Sequence, residues 1–220
     1  MNPFAVIFDM DGVIFDSNPY HKISLRQFCE KYGYHLSDQE LISKIYGRTN
    51  KEWIANLFGQ ISQEELLRYE EEKEGLFRQL YEKDVRALNG LPDFLKRLKE
   101  KNIPMAIGTS APRSNVDFML RHTGFGNYFP IILDEADVER GKPDPEIYLK
   151  VAARMGYEPA RCMVFEDSLS GVESARRAGA KVIGVATTHT PDELSHADFV
   201  IGDFEGLDPD QLYKAVFKEK

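Results

Sequence analysis

Four short stretches of this chain hold most of the residues whose types and spacing suit chemistry. The first is "AVIFDMDGVIFDS". Four apolar residues, Ala5 to Phe8, run into Asp9 and Asp11, with Gly12 directly behind. The second, "IPMAIGTSAP", is an apolar run ending in Thr109 and Ser110. The third is "GKPDP", carrying Lys142, and the fourth is "CMVFED", an apolar run ending in Glu166 and Asp167. Each has a plain structural reading. Asp-x-Asp-Gly is a common turn, Glu166-Asp167 suits a helix start, Ser110 before Pro112 is an ordinary helix entry, and Lys142 suits a surface. Together they put acidic clusters and a hydroxyl pair after successive apolar runs. Carboxylates gathered that closely repel one another unless a cation sits among them, and hard oxygen ligands suit Mg²⁺.

The chemistry that fits such a set is phosphoryl transfer, which depends on in-line placement and charge neutralisation. Asp9 ends its strand and is the better nucleophile, attacking phosphorus to give an aspartyl-phosphate. Asp11, two residues on, suits a general acid for the leaving oxygen and then a base for the next acceptor. Gly12 permits the turn that brings Asp11 back over the site. Thr109 and Ser110 offer hydroxyls and backbone N–H groups to an anion, and Lys142 neutralises charge on the transferred group.

The elements that must position these residues read as α/β. Residues 91–101 carry Leu91, Phe94, Leu95 and Leu98 at i, i+3, i+4 and i+7, the spacing of an amphipathic helix. After it, strands ("IPMAIGT", "YFPIILD", "CMVFED", "KVIGVAT", "DFVIGD") alternate with helices ("PRSNVDFMLRHTG", "DPEIYLKVAARMG", "SGVESARRAGA"). Asp144 is the expected N-cap of the second helix. Thr190 to Glu193 forms a capping-box pattern expected to open a short helix, and Asp208-Pro209 opens a last one. Strands apolar throughout and separated by helices imply a parallel sheet covered on both faces. Ligands of such sheets bind beyond the carboxyl ends of the strands, where the chemical residues fall.

Residues 17–86 break this rhythm. They read as helices, with capping boxes at Ser37–Glu40 and Ser62–Glu65 and an early apolar face of Tyr20, Phe28, Cys29 and Tyr32. "EELLRYEEEKEGLFRQLYEK" is highly charged and reads as a solvated helix face. The expected organisation is an α/β core from 1–16 and 87–220, with a helical insert over 17–86.

Net charge is −8, which argues against nucleic-acid and anionic membrane partners, since both want a basic face. The two cysteines, Cys29 and Cys162, lack metal-ligand spacing and suit a reduced, cytoplasmic protein. No apolar run approaches the roughly 20 residues that span a bilayer, and no signal peptide is visible.

In order along the chain, "FDMDGVIFDS", "IGTSAP", "GKPDP" and "FEDSLSG" resemble the four motifs of the haloacid dehalogenase superfamily. The position of the insert resembles the branch of β-phosphoglucomutases and sugar-phosphate phosphatases. The resemblance implies a Rossmann-like, doubly wound core with a helical cap. It implies Asp9 as nucleophile, Asp11 as acid and base, and Thr109 and Lys142 as phosphate ligands. It also implies Mg²⁺ held by Asp9, the Asp11 carbonyl and Asp167, with Glu166 assisting. Dehalogenases and phosphonatases lack the second aspartate, so Asp11 points to phosphate esters. Within the branch, His21 resembles a cap-hinge histidine and Lys73 falls near a mutase lysine. Position 50, an arginine in the mutase pattern, is Asn50, with Arg48 and Lys51 as substitutes; Pro112-Arg113 stands where mutases resemble one another in a Lys-Asn pair. The favoured function is hydrolysis of small phosphorylated metabolites by a monomer. Phosphohexomutase action and pyrophosphate hydrolysis stand as alternatives, and a non-catalytic binding module is the reading from another class.

Overall fold

The computed structural model describes residues 2–37, 39–41 and 49–217. The chain divides into two compact units, Met1–Asp16 with Val85–Lys220, and Ser17–Asp84.

The first unit is built on a sheet of six parallel strands: β1 (Ala5–Phe8), β2 (Met105–Gly108), β3 (Ile131–Leu133), β4 (Cys162–Glu166), β5 (Lys181–Val185) and β6 (Phe199–Ile201). Their order is β3-β2-β1-β4-β5-β6. β1, β2 and β4 are buried along their whole length; their residues are apolar or glycine except Glu166, which ends β4. Alternate residues divide the core. Ala5 and Ile7 join Val164, Ile147, Val151, Val172 and Ala175 in one cluster. Phe8, of opposite parity, stacks on Phe165 with ring centroids 5.0 Å apart, and Phe94 and Phe204 close around that pair. Register fixes what comes next. Phe8 is level with Ile107 on one side and Phe165 on the other. Asp9, Thr109 and the pair Glu166-Asp167 therefore emerge at one end of the sheet, beside the point where strand order reverses.

The second unit is helical: α1 (Asn18–Lys31), α2 (Asn50–Phe58) and α3 (Gln63–Tyr81). Its core gathers Leu25, Phe28, Cys29, Leu41, Trp53, Ile54, Leu66 and Tyr69. Ser62 and Glu65 make the expected capping box at the start of α3, and Ser37 and Glu40 exchange the same bonds. Thr49 and Glu52 form a further box ahead of α2.

The remaining helices belong to the first unit: α4 (Leu91–Glu100), α5 (Arg113–Thr123), α6 (Glu146–Met155), α7 (Leu169–Ala178) and α8 (Pro209–Val216). Three expectations need correction. α6 begins after Pro145, and Asp144 caps it from one position further out, accepting from the Glu146 N–H at 3.1 Å. The Thr190–Glu193 box is made, but residues 191–196 form turns. Leu194 N–H bonds Thr190 C=O, Ala197 N–H bonds Leu194 C=O, and these turns run on into β6 at Phe199. Lastly, the charges of α3 do not all lie on a solvated face: Lys73 and Glu74, within its most charged stretch, are both buried. No helix among the described residues is long and apolar enough to cross a membrane.

Candidate active site

Asp9 follows β1 directly. Its N–H donates to Phe165 C=O at 3.0 Å, which continues the β1–β4 ladder one step past the strand and fixes its backbone. The chain then turns sharply. Gly12 has φ 73°, its N–H donates to Phe15 C=O at 2.8 Å, and Thr187 Oγ1 donates to Gly12 C=O at 2.6 Å. A positive φ at that step is easy for glycine and costly for other residues. The turn leaves Asp11 half-exposed, near enough for its charge to act on Asp167.

Asp9, Glu166 and Asp167 are all buried, and each offers a carboxylate oxygen within 4.8 Å of those of the other two. Lys142 Nζ enters among them, 2.7 Å from Asp9 Oδ1 and 2.6 Å from Glu166 Oε1, and donates to Gly108 C=O at 3.3 Å. Tyr148 OH donates to the same Glu166 Oε1 at 2.8 Å. Glu166 Oε2 accepts from Ser168 N–H and Ser168 Oγ, both at 3.0 Å. A carboxylate has about four acceptor positions, so four protein donors engage Glu166 fully. Asp167 Oδ2 accepts from Thr188 Oγ1.

Gly171 makes room for this arrangement. A Cβ there would lie 1.7 Å from Glu166 Oε1, so any side chain would displace the carboxylate. Ser168 caps α7 through Gly171 N–H at 3.0 Å while it also holds Glu166.

Electrostatics follow from burial and an unequal count of charges. Three carboxylates meet one ammonium. Burial, and then the charges of Glu166 and Asp167, hold the Asp9 carboxyl well above the usual range in spite of Lys142. Burial and Glu166 push Asp167 up to about 7. Glu166 goes the other way: burial opposes its charge, but Lys142 and the bonds from Ser168 and Tyr148 outweigh it. Lys142 is held above its ordinary value, because Asp9 and Glu166 overcome the cost of burying the ammonium. A cluster this negative, lined with hard oxygens, fits a divalent cation such as Mg²⁺.

Of the other expected site residues, Thr109 is buried beyond β2, and its Oγ1 accepts from Ala111 N–H at 3.1 Å. Ser110 beside it is exposed, and α5 begins three residues later, at Arg113. Arg113 lies in the first unit, not the helical one, and its guanidinium bonds Asp117 at 2.9 Å. In the helical unit, His21, Asn50 and Lys73 meet in one network. Lys73 Nζ lies 3.1 Å from His21 Nδ1 and 2.8 Å from Glu74 Oε1. Asn50 Nδ2 donates to Glu74 Oε1 at 2.9 Å, and Trp53 Nε1 donates to Asn50 Oδ1 at 2.9 Å. Lys51 is exposed, and Arg48 lies outside the described residues. Sequence reasoning missed Tyr148, Ser168, Thr188 and Glu74. Tyr148 lies on a helix whose apolar spacing marks it as core, with nothing to say that its hydroxyl meets a carboxylate.

Comparisons with known proteins show the family. Residues 6–185 match the model of the haloacid dehalogenase-like hydrolases. The chain is 36% identical over 184 residues to the "Phosphorylated carbohydrates phosphatase" of Thermotoga maritima, covering 81% of this chain and 83% of that one. It is 30% identical over 191 residues to the β-phosphoglucomutase of Bacillus subtilis, covering 82% of each. The crystal structure of a family IA, variant 3 hydrolase from Entamoeba histolytica superposes with a TM-score of 0.89 at 32% identity, over 98% of this chain and all of that one. This chain belongs to the haloacid dehalogenase-like hydrolase family, in its branch of sugar-phosphate phosphatases and β-phosphoglucomutases.

Proposed function

We propose that the protein is a Mg²⁺-dependent phosphatase of small phosphorylated metabolites, sugar phosphates first among them, working through an aspartyl-phosphate. The observation that carries this reading is the buried group of Asp9, Glu166 and Asp167 around Lys142, with Asp11 two residues beyond Asp9. Asp9 is the nucleophile. A carboxylate oxygen attacks phosphorus in line with the ester oxygen, the P–O bond to the alcohol breaks, and Asp11 gives its proton to the leaving oxygen. Asp11, now a carboxylate, takes a proton from water. That water attacks the phosphoryl group, releasing phosphate and restoring Asp9. Lys142 stabilises charge on the equatorial oxygens, and Thr109 and Ser110 take part in holding them. Asp9 and Asp167, with the Asp11 carbonyl, would hold the cation, while Glu166 anchors Lys142. When bound, Mg²⁺ offsets carboxylate repulsion and the charge of the phosphate.

The helical unit acts in this reading as a cap over 17–86 that governs which ester is taken. Its network favours hydrolysis over mutase action. A mutase holds a bisphosphate and needs a second anion site. Here Asn50 is engaged by Glu74 and Trp53, and the Lys73 ammonium is already matched by the Glu74 carboxylate.

The test is a turnover screen over sugar phosphates, nucleotides and pyrophosphate with Mg²⁺ and with EDTA, alongside isomerisation of β-glucose 1-phosphate primed with its bisphosphate. Phosphate release from sugar phosphates, lost in EDTA, is expected. Efficient isomerisation would put the mutase reading first, and a preference for pyrophosphate would move the substrate class.

A further inference from the structure

The Tyr148 hydroxyl serves no purpose that a phenyl ring would lack if α6 merely packs on the sheet. The side chain is 1% exposed and sits among Ile147, Val151, Ala106 and Leu133, where Phe would fill almost the same volume. A buried hydroxyl costs free energy unless it is bonded, and this one donates to Glu166 Oε1, the oxygen that also receives Lys142. The ring adds a second constraint, with Lys142 Nζ 4.9 Å from its centroid.

We propose that the Tyr148 hydroxyl is a positioning residue for phosphoryl transfer: by fixing the Glu166 carboxylate, it sets where the Lys142 ammonium stands against Asp9. The inference rests on the phosphatase reading above. Glu166 is anchored at both oxygens, by Tyr148 on one and Ser168 on the other, and Gly171 supplies the space it occupies. With the Tyr148 bond gone, Oε1 keeps Lys142 but loses the donor that fixes its angle. The ammonium then loses the placement that stabilises charge in the transition state, while the ground-state ester is held as before.

The experiment is a double-mutant cycle with a chromogenic phosphate ester, using Tyr148→Phe, Lys142→Ala and the pair. Tyr148→Phe keeps the ring and should lower kcat about 10-fold, in line with a hydrogen bond to a charged group, with KM within about twofold. In the Lys142→Ala background the same substitution should change kcat little, because it acts through a group no longer there. A merely structural role would lower the melting temperature without this kcat-specific, Lys142-dependent loss. Unchanged kcat in Tyr148→Phe, or an equal loss with and without Lys142, overturns the inference. If Tyr148→Phe does not fold, Ser168→Ala removes a donor from the other Glu166 oxygen and is held to the same Lys142-dependent loss. Wild type and Asp9→Asn run alongside. A wild type that releases phosphate from no ester overturns the phosphatase reading and this inference with it. An active wild type with an unaffected Tyr148→Phe overturns this inference alone.

Discussion

Each unit of this protein buries a lysine among polar partners, and the two lysines are balanced differently. In the helical unit Lys73 meets one carboxylate, Glu74, at 2.8 Å, with His21 beside it. In the α/β unit Lys142 meets Asp9 and Glu166 at 2.7 and 2.6 Å, with Asp167 close by. Glu166, like Glu74, is lowered by its lysine, whereas Asp9 and Asp167 go the opposite way. Burial works to raise Glu74, but Lys73, His21 and Asn50 outweigh it and bring it down to about 2. Burial and the surplus of negative charge drive Asp167 up to about 7 and hold Asp9 well above its ordinary range. A matched pair is content as it stands. In the proposed reading a cation and a phosphate complete the balance at this surplus of buried carboxylates, and the unequal count is the reason for placing the reaction there.

The sharpest way to break this contrast is Asp9→Asn. An amide cannot attack phosphorus, so turnover should fall to background. Removing one carboxylate from an over-negative cluster should leave the melting temperature, measured in EDTA, unchanged or higher. Substantial turnover in the variant would remove Asp9 as nucleophile. A large loss of stability would mean that the cluster is balanced after all.

Much of this contrast could be read in the sequence, and the unread part has a common cause. Asp9, Thr109, Glu166 and Asp167 stand at the ends of apolar runs, so their place at one sheet end follows from strand direction alone. The box at Thr190–Glu193 was visible too, yet turns rather than a helix lead from it into β6. Contacts that depend on tertiary register were not legible. The Tyr148 hydroxyl reaches Glu166 because α6 packs over β1 and β2, and no local pattern encodes that. Gly171 reads as an ordinary helix residue until the Glu166 carboxylate is found where its Cβ would be. Lys73 did carry a signal. Leu66, Tyr69, Phe77 and Tyr81 form the buried stripe of α3, and Lys73 falls on it at i+4 from Tyr69 and i−4 from Phe77. A charge on an apolar stripe calls for a buried partner. The residue next to it supplies one.

Exchanging the lysines sharpens the comparison at smaller amplitude. Lys142→Ala should slow every phosphate ester alike, by about 10²–10³-fold, as for loss of one preorganised charge-stabilising donor. Lys73→Met should leave turnover of a small chromogenic ester within about threefold and alter relative rates among sugar phosphates, since the helical unit governs selectivity in the proposed reading. Steady-state rates over one substrate panel distinguish the two. A uniform collapse caused by Lys73→Met would place that lysine in the reaction itself.

The smallest expected effect is one of stability, and its sign separates the two regions. The Glu74 carboxyl titrates near 2 in the folded protein and near 4.5 when free. A depressed carboxyl contributes stability that is fully present above the free value and is lost as pH falls through the folded one. Wild type should therefore exceed Glu74→Gln by roughly 3 kcal/mol at neutral pH, with the gap closing between about pH 4.5 and 2. Asp167 has the reverse sign. Its carboxyl is raised from 3.8 to about 7, so its protonated form is favoured by folding, and stability falls as pH rises between those values. Asp167→Asn should relieve that fall when unfolding is followed in EDTA. Denaturant titrations of the three proteins across pH 3 to 8 measure both slopes. If the Glu74→Gln gap is constant with pH, the Lys73–Glu74 pair is not the matched ion pair described here. If wild type and Asp167→Asn lose stability in parallel between pH 4 and 7, the surplus charge does not reside at Asp167.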